Sequence, residues 1–203
     1  MRKIGTSVFV LVLCLHSYAQ DLFFPPELQW WIDEVQKANP TIVIDRFSVD
    51  STREYKYLKG TMNSSGLYPI FYRWNYSGDK LGYFNYGASV SKVKNGKYDI
   101  GFDIDSGVLI IDKANSQYIL DSFGSSKGID GIAWLRDNTM VGVGKWIRSI
   151  NQEKAMVDLI IDVYQVESEK VVITEYVFRD AFNNDVRFGL KLNWYEQRPD
   201  YFK

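Results

Sequence analysis

The chain has 203 residues, 24 basic against 25 acidic for a formal charge of −1, with 16% aromatic residues and a single histidine and cysteine. So even a balance, with no clustered basic face, excludes a nucleic-acid footprint. The length suits one domain able to bury its core without disulfides.

Residues 1–19 have the pattern of a secretory signal. Arg2 and Lys3 form the basic start, Val8 to Leu15 an apolar run, and Ser17-Tyr18-Ala19 a small-x-small cleavage site. The expectation is an exported protein, periplasmic or extracellular, cut after Ala19. The apolar run is short of the roughly 20 residues a bilayer core requires, and no later run reaches that length, so no membrane span is expected. Lipid attachment through Cys14 is disfavoured because bulky Leu13 precedes it where a small residue is wanted.

The only imidazole, His16, and the only thiol, Cys14, both leave with that segment. The remaining chain then lacks the parts for Ser-His-Asp or Cys-His catalysis and for His/Cys zinc sites. No cofactor and no metal centre are expected. Carboxylate, lysine, tyrosine or serine chemistry stays available.

One helix is predicted over 26–38. Pro25 and Pro26 suit a first turn, Glu27 favours the positive end of the helix dipole, and Asn39-Pro40 gives a stop. Leu28, Trp31, Ile32, Val35 and Ala38 form one apolar stripe that should lie on a sheet. Trp30 falls off the stripe, either exposed or covering a sheet edge.

From Thr41 the period becomes that of strands. They are predicted at 41–49, 54–62, 68–76, 80–86, 88–94, 97–104, 108–112, 117–123, 130–135, 139–147, 156–165, 170–179 and 186–195. Asn95-Gly96 is the clearest hairpin turn, and Asn63-Ser64-Ser65-Gly66 reads by composition as a flexible loop. Gly142 and Gly144 inside one strand point to a bulge or a close backbone approach.

Two stretches resemble each other. In Arg73-Trp74-Asn75 and in Ala133-Trp134-Leu135 a strand reaches Trp, a polar turn follows, and the next strand carries Gly82 or Gly142. Asp99 to Asp103 can be laid on Asp158 to Asp162, and Trp194 continues the equal spacing of Trp74 and Trp134. Repeat-like units of about 68–125 and 128–180 follow. A Trp strand, polar turn, glycine strand and Asp-flanked strand resemble a blade of a β-propeller of the WD-repeat type, although the Trp-Asp and Gly-His signatures are missing. That resemblance implies four-stranded antiparallel meanders. The fold class expected is therefore mostly β: antiparallel meander sheets, as two blade-like units or a curled barrel, with one N-terminal amphipathic helix. Trp74 and Trp134 are expected to be equivalent buried residues.

Several groups could carry chemistry. Asp103-Ile104-Asp105-Ser106-Gly107 has the shape of a calcium loop, but Ala114 stands where the bidentate Glu would be, so an ordinary turn is the simpler reading. Asp103 and Asp162 are the candidate acid/base pair, since two carboxylates can hydrolyse glycans without histidine. Lys145, Trp146, Arg148 and Lys154 read as a hairpin rim or an anion-binding cluster. Tyr68, Tyr72 and Tyr76 share one strand face and offer either sugar-stacking rings or core.

A chain rich in Tyr and Trp is better equipped for stacking than for bond breaking. The expectation is a non-enzymatic binding or interaction module, with Trp30, Tyr72, Tyr76 and Trp146 as ligand-binding residues. Its partner would be an envelope glycan or another exported protein. The alternatives are a carboxylate-dependent glycan hydrolase, or a structural subunit forming a homo-oligomer through sheet edges.

Overall fold

A computed structural model describes residues 24–56, 58–61, 68, 71–84, 89–92, 98–101, 105–114, 116–124, 126–149 and 154–185. The segment 1–19, the turn at Asn95-Gly96, the 63–66 loop and the strand predicted at 186–195 lie outside them.

Pro26–Leu28 forms one 3-10 turn and Gln29–Ala38 the helix α1 that continues it. Its stop is built from Asn39, whose backbone N–H closes the last turn on Val35 and whose side chain donates to the Ala181 carbonyl at 2.9 Å. Leu28, Trp31, Ile32 and Val35 are buried, whereas Ala38 is exposed at the frayed end.

The strands are β1 Ser48–Lys56, β2 Leu58–Thr61, β3 Tyr72–Trp74, β4 Lys80–Phe84, β5 Ser89–Lys92, β6 Tyr98–Gly101, β7 Asp105–Asp112, β8 Ser116–Gly124, β9 Lys127–Arg136, β10 Thr139–Ser149, β11 Lys154–Val166 and β12 Lys170–Asp185. They make two five-stranded antiparallel sheets, ordered β1-β12-β11-β10-β9 and β2-β8-β7-β4-β3, and a β5-β6 hairpin. The orders correspond. Each sheet is a four-stranded meander whose last strand accepts one early strand, β1 on β12 and β2 on β8. Only residue 57 separates β1 from β2, so the chain passes there from one sheet to the other.

Of the architectures expected from sequence, the mostly β, antiparallel class with one N-terminal helix is what forms, and the barrel is not. Among the described residues β1 and β9 bound the first sheet and β2 and β3 the second, with no ladder closing either pair. The predicted break near residue 50 is also wrong. Residues 44–46 make a 3-10 turn and β1 runs unbroken through Ser51-Thr52-Arg53, because β12 supplies a partner strand over its whole length.

Three layers result. The inner faces of the two sheets enclose one core, in which Val108, Ile110 and Leu120 of the second sheet meet Ile132, Trp134, Met140, Ile160 and Tyr164 of the first. Helix α1 covers the opposite face of the first sheet, packing Leu28, Trp31, Ile32 and Val35 on Ala133, Val141, Val157, Leu159 and Ile161. Burial on both faces explains the uninterrupted run Leu159-Ile160-Ile161, whose members point alternately to helix and sheet.

A bulge sets Asp130 of β9 against the Val143/Gly144 step of β10. A Cβ on Gly144 would overlap the Gly128 carbonyl oxygen, so this strand crossing requires glycine. The bulge turns Asp130 toward α1, where its carboxylate accepts from Trp31 Nε1 at 3.2 Å and from buried Lys145 Nζ at 3.0 Å.

Candidate functional site

The turns β3–β4, β7–β8, β9–β10 and β11–β12 gather at one end of the molecule, as the antiparallel registers require. Asn75 organises the first of them. Its side-chain oxygen accepts from the backbone N–H groups of Asp79 and Lys80, both at 3.0 Å, and its amide donates to Asp79 at 2.6 Å and to the Asp137 carbonyl at 3.2 Å. Donors from Ser77 and Asn75 hold the Asp79 carboxyl well below the usual range. Ser77 N–H reaches the Asp137 carboxylate at 2.8 Å, and Tyr76 Oη donates to the Trp134 carbonyl at 2.9 Å. The β3–β4 turn is thus fastened to the β9–β10 turn, and the two sheets are pinned together at this corner.

Beside that corner the sheets part to form a cleft of about 140 Å³. Lys80, Ile110, Asp112 and Tyr118 line it from the second sheet, and Val166, Glu167 and Ser168 from the first. Tyr118 Oη donates to Asp112 at 3.0 Å. Burial works to raise the Asp112 pKa, but this bond and the backbone N–H groups of Ser116 and Ala114 keep it below its ordinary value. Next to the cleft is a groove of about 390 Å³ lined by Glu54, Lys56, Glu167, Ser168, Glu169 and Lys170. Lys170 spans it, 3.0 Å from Glu54 and 3.5 Å from Glu167. At the same end Trp74 and Tyr76 are 53% and 68% exposed.

The sequence-predicted binding residues differ in their exposure. Tyr76 is exposed. Trp30 is half-buried and lies over Gly131 of edge strand β9, covering the sheet edge. Tyr72 and Trp146 are partly buried against the inter-sheet core. Tyr68 packs there as well, so the tyrosine face is mostly core. The expected burial of Trp74 is corrected. It stands at the end of β3 as Trp134 stands near the end of β9, yet Trp134 is 4% exposed and Trp74 is only half covered.

Two cations of the basic cluster are ion-paired within the fold, and the Lys154 side chain lies outside the described ones. Lys145 is buried against Asp130, and Arg148 is bound bidentately by Asp158, both bonds at 2.8 Å. Asp158 is fully buried beside an irregular stretch of β12, where Asp180 adopts φ 53°. Its carboxylate also accepts from Arg179 at 2.9 Å and from the Asp180 N–H at 2.8 Å. Burial alone would raise its pKa, but the Arg148, Asp180 and Arg179 donors bring it below the ordinary value.

Asp162 is held differently from Asp158. Asp162 is fully buried between the sheets, 2.9 Å from Lys127 Nζ, and accepts from Tyr164 Oη at 3.2 Å. Lys127 also lies 2.6 Å from Glu175 and 3.6 Å from Asp121, and Arg53 stands 3.4 Å from Asp121. Burial first, then the neighbouring Glu175 and Asp121 carboxylates, push Asp162 up to about 6 against the pull of Lys127. Lys127 is itself raised, since three carboxylates outweigh the burial that opposes its charge. Asp162 thus rises chiefly because it is buried, and Lys127 because several carboxylates surround one ammonium. Asp103 lies outside the described residues. No group of carboxylates suited to a metal ion occurs among the described residues.

Nothing in the sequence flagged Lys127, Asp121, Glu175 and Arg53 as partners, since their strands are far apart along the chain. No family model matches the chain, and no curated protein or solved structure is significantly similar to it. No helix among the described residues is long and apolar enough to cross a membrane.

Proposed function

We propose that the protein is an exported, non-enzymatic binding module whose turn-bearing end engages another protein. The observation that carries this reading is the pair of exposed aromatics, Trp74 and Tyr76, beside a shallow cleft and a charged groove. Large aromatic rings are the commonest energetic anchors of protein interfaces. Small-molecule pockets run to roughly 300–1,000 Å³ with mainly apolar walls, whereas this cleft holds about 140 Å³ and the described lining of the larger groove is charged and hydroxyl side chains. Exposed pairs such as Lys170–Glu54 contribute little to folding and can exchange for partner groups at low cost.

The hydrolase alternative is less well supported, because Asp162 is fully buried in an ion-pair network. Assembly through sheet edges is opposed by the edges themselves. β1 carries Asp50, Arg53, Glu54 and Lys56 and a bulge at Val49/Ser51, and the Arg73 carbonyl of β3 is taken by Trp134 Nε1 at 2.9 Å.

The test is affinity capture from the native cell envelope with the chain from Gln20, followed by titration of each purified partner and of envelope glycans. Trp74→Ala should weaken the protein partner's binding at least tenfold with an unchanged far-UV spectrum. A partner bound equally well by Trp74→Ala and by Lys80→Ala would reject this surface. Turnover of a glycan abolished by Asp162→Asn would install the hydrolase.

A further inference from the structure

We infer that the cluster of Asp121, Asp162, Glu175 and Lys127 is a proton-loaded clasp between the two sheets, which takes up one proton as the medium passes from neutral to mildly acid and then holds the sandwich more firmly.

The charge balance carries the inference. Three carboxylates, each at most 6% exposed at the side chain, converge on a Lys127 side chain that is 9% exposed. Arg53 at the sheet edge is the second cation, 3.4 Å from Asp121 and 4.0 Å from Glu175, and its side chain is 41% exposed. The set therefore holds one negative charge too many in a place where uncompensated charge is costly. A second observation shows where the proton goes. Asp162 Oδ1 is buried with no hydrogen-bond partner among the described residues, while Oδ2 takes Lys127 and Tyr164. An unpartnered, buried carboxylate oxygen is the group that gains most from neutralisation.

The surroundings are accounted for strand by strand. Among the described residues Asp162 has Tyr164 on its own strand β11, Glu175 opposite on β12, Lys127 on β9 and the Asp121 charge on β8, while Arg53 of β1 reaches Asp121 and Glu175 rather than Asp162; its β10 neighbour is Gly142, which has no charge. Lys145 of β10 belongs to Asp130 on the helix side. Only Asp121 comes from the second sheet, so Lys127 ties that sheet to Asp162 and Glu175 of the first. The pH window is clean because His16 is the chain's only imidazole.

The sign follows from linkage. Asp162 binds its proton more tightly folded, at about 6, than unfolded, at 3.8. Stability from this group is fully present below the unfolded value and is lost as pH rises through about 6. The experiment is carboxyl 13C NMR together with urea unfolding of the full chain between pH 5 and 7, for wild type, Asp162→Asn and Glu175→Gln, with His16 followed through its own ring signals. The Asp162 carboxyl should titrate near 6 in wild type and lower in Glu175→Gln, which removes the excess charge. The wild-type unfolding constant should fall about tenfold from pH 7 to pH 5, and that dependence should vanish in Asp162→Asn. An Asp162 midpoint near 4 overturns the clasp, as does a wild-type pH dependence that Asp162→Asn retains. Should Asp162→Asn fail to fold, the shift of the Asp162 midpoint in Glu175→Gln decides alone.

Discussion

Replacing Trp134 and Trp74 one at a time with alanine measures how unequal two similarly placed tryptophans have become. Trp134 is 4% exposed and sits in the inter-sheet core, where its indole lies against Gly82 and donates to the Arg73 carbonyl at 2.9 Å. A buried tryptophan removes about 200 Å² from water, which at about 25 cal/mol per Å² gives an upper figure of about 5 kcal/mol. Cavity series for Trp→Ala cover about 3–5 kcal/mol, and the bond to the Arg73 carbonyl is lost as well, so about 4 kcal/mol is expected. Trp74 is 53% exposed. Its covered half corresponds to an upper figure of about 2.5 kcal/mol on the same scale, and about 2 kcal/mol is expected once the partial burial of the unfolded chain is allowed for. Urea unfolding followed by far-UV circular dichroism avoids reporting through the residues being changed. Equal losses for the two variants, or a larger loss for Trp74→Ala, would refute the packing described for the β3–β9 corner.

Asp158→Ala should cost about 2–3 kcal/mol in urea unfolding at pH 7, near the low end for a broken buried pair because Arg148 and Arg179 both reach water. The native Asp158 pKa is lowered, so the stability it supplies is present above the unfolded value of 3.8 and is lost as pH falls through the native one. The variant should therefore lose less stability than wild type on acidification below pH 4. Gly144→Ala forces a Cβ into the Gly128 carbonyl and should lower the urea midpoint by several times more than Gly124→Ala, whose added carbon meets nothing within 4 Å. Equal midpoints would mean that β9 and β10 do not cross as closely as described.

The elements that sequence revealed are those whose signals are local. The helix was legible because Leu28, Trp31, Ile32 and Val35 recur on one face and Asn39-Pro40 stops the chain. The bulge at Gly144 was legible because a glycine inside a β-branched strand has little other reason to be there. By contrast, Ser51-Thr52-Arg53 falls in the gap between the predicted strands 41–49 and 54–62, and the pairing with β12 carries β1 through it. The candidate binding residues fared unevenly, since an aromatic ring at the end of a strand satisfies core and surface readings alike.

The amino-acid order by itself determined the periods: one amphipathic helix, then strands broken by turn residues, with His16 and Cys14 confined to the first segment. Those properties depend on neighbours a few residues apart, and the covalent chain supplies them. The tertiary structure decided the rest. It buried Trp134 and left Trp74 half covered, paired Lys145 with Asp130 rather than with a ligand, and collected Asp121, Lys127, Asp162, Glu175 and Arg53 from five strands. Burial and charge compensation are set by what the opposing layer brings, and in this chain the opposing layer is encoded up to more than a hundred residues away.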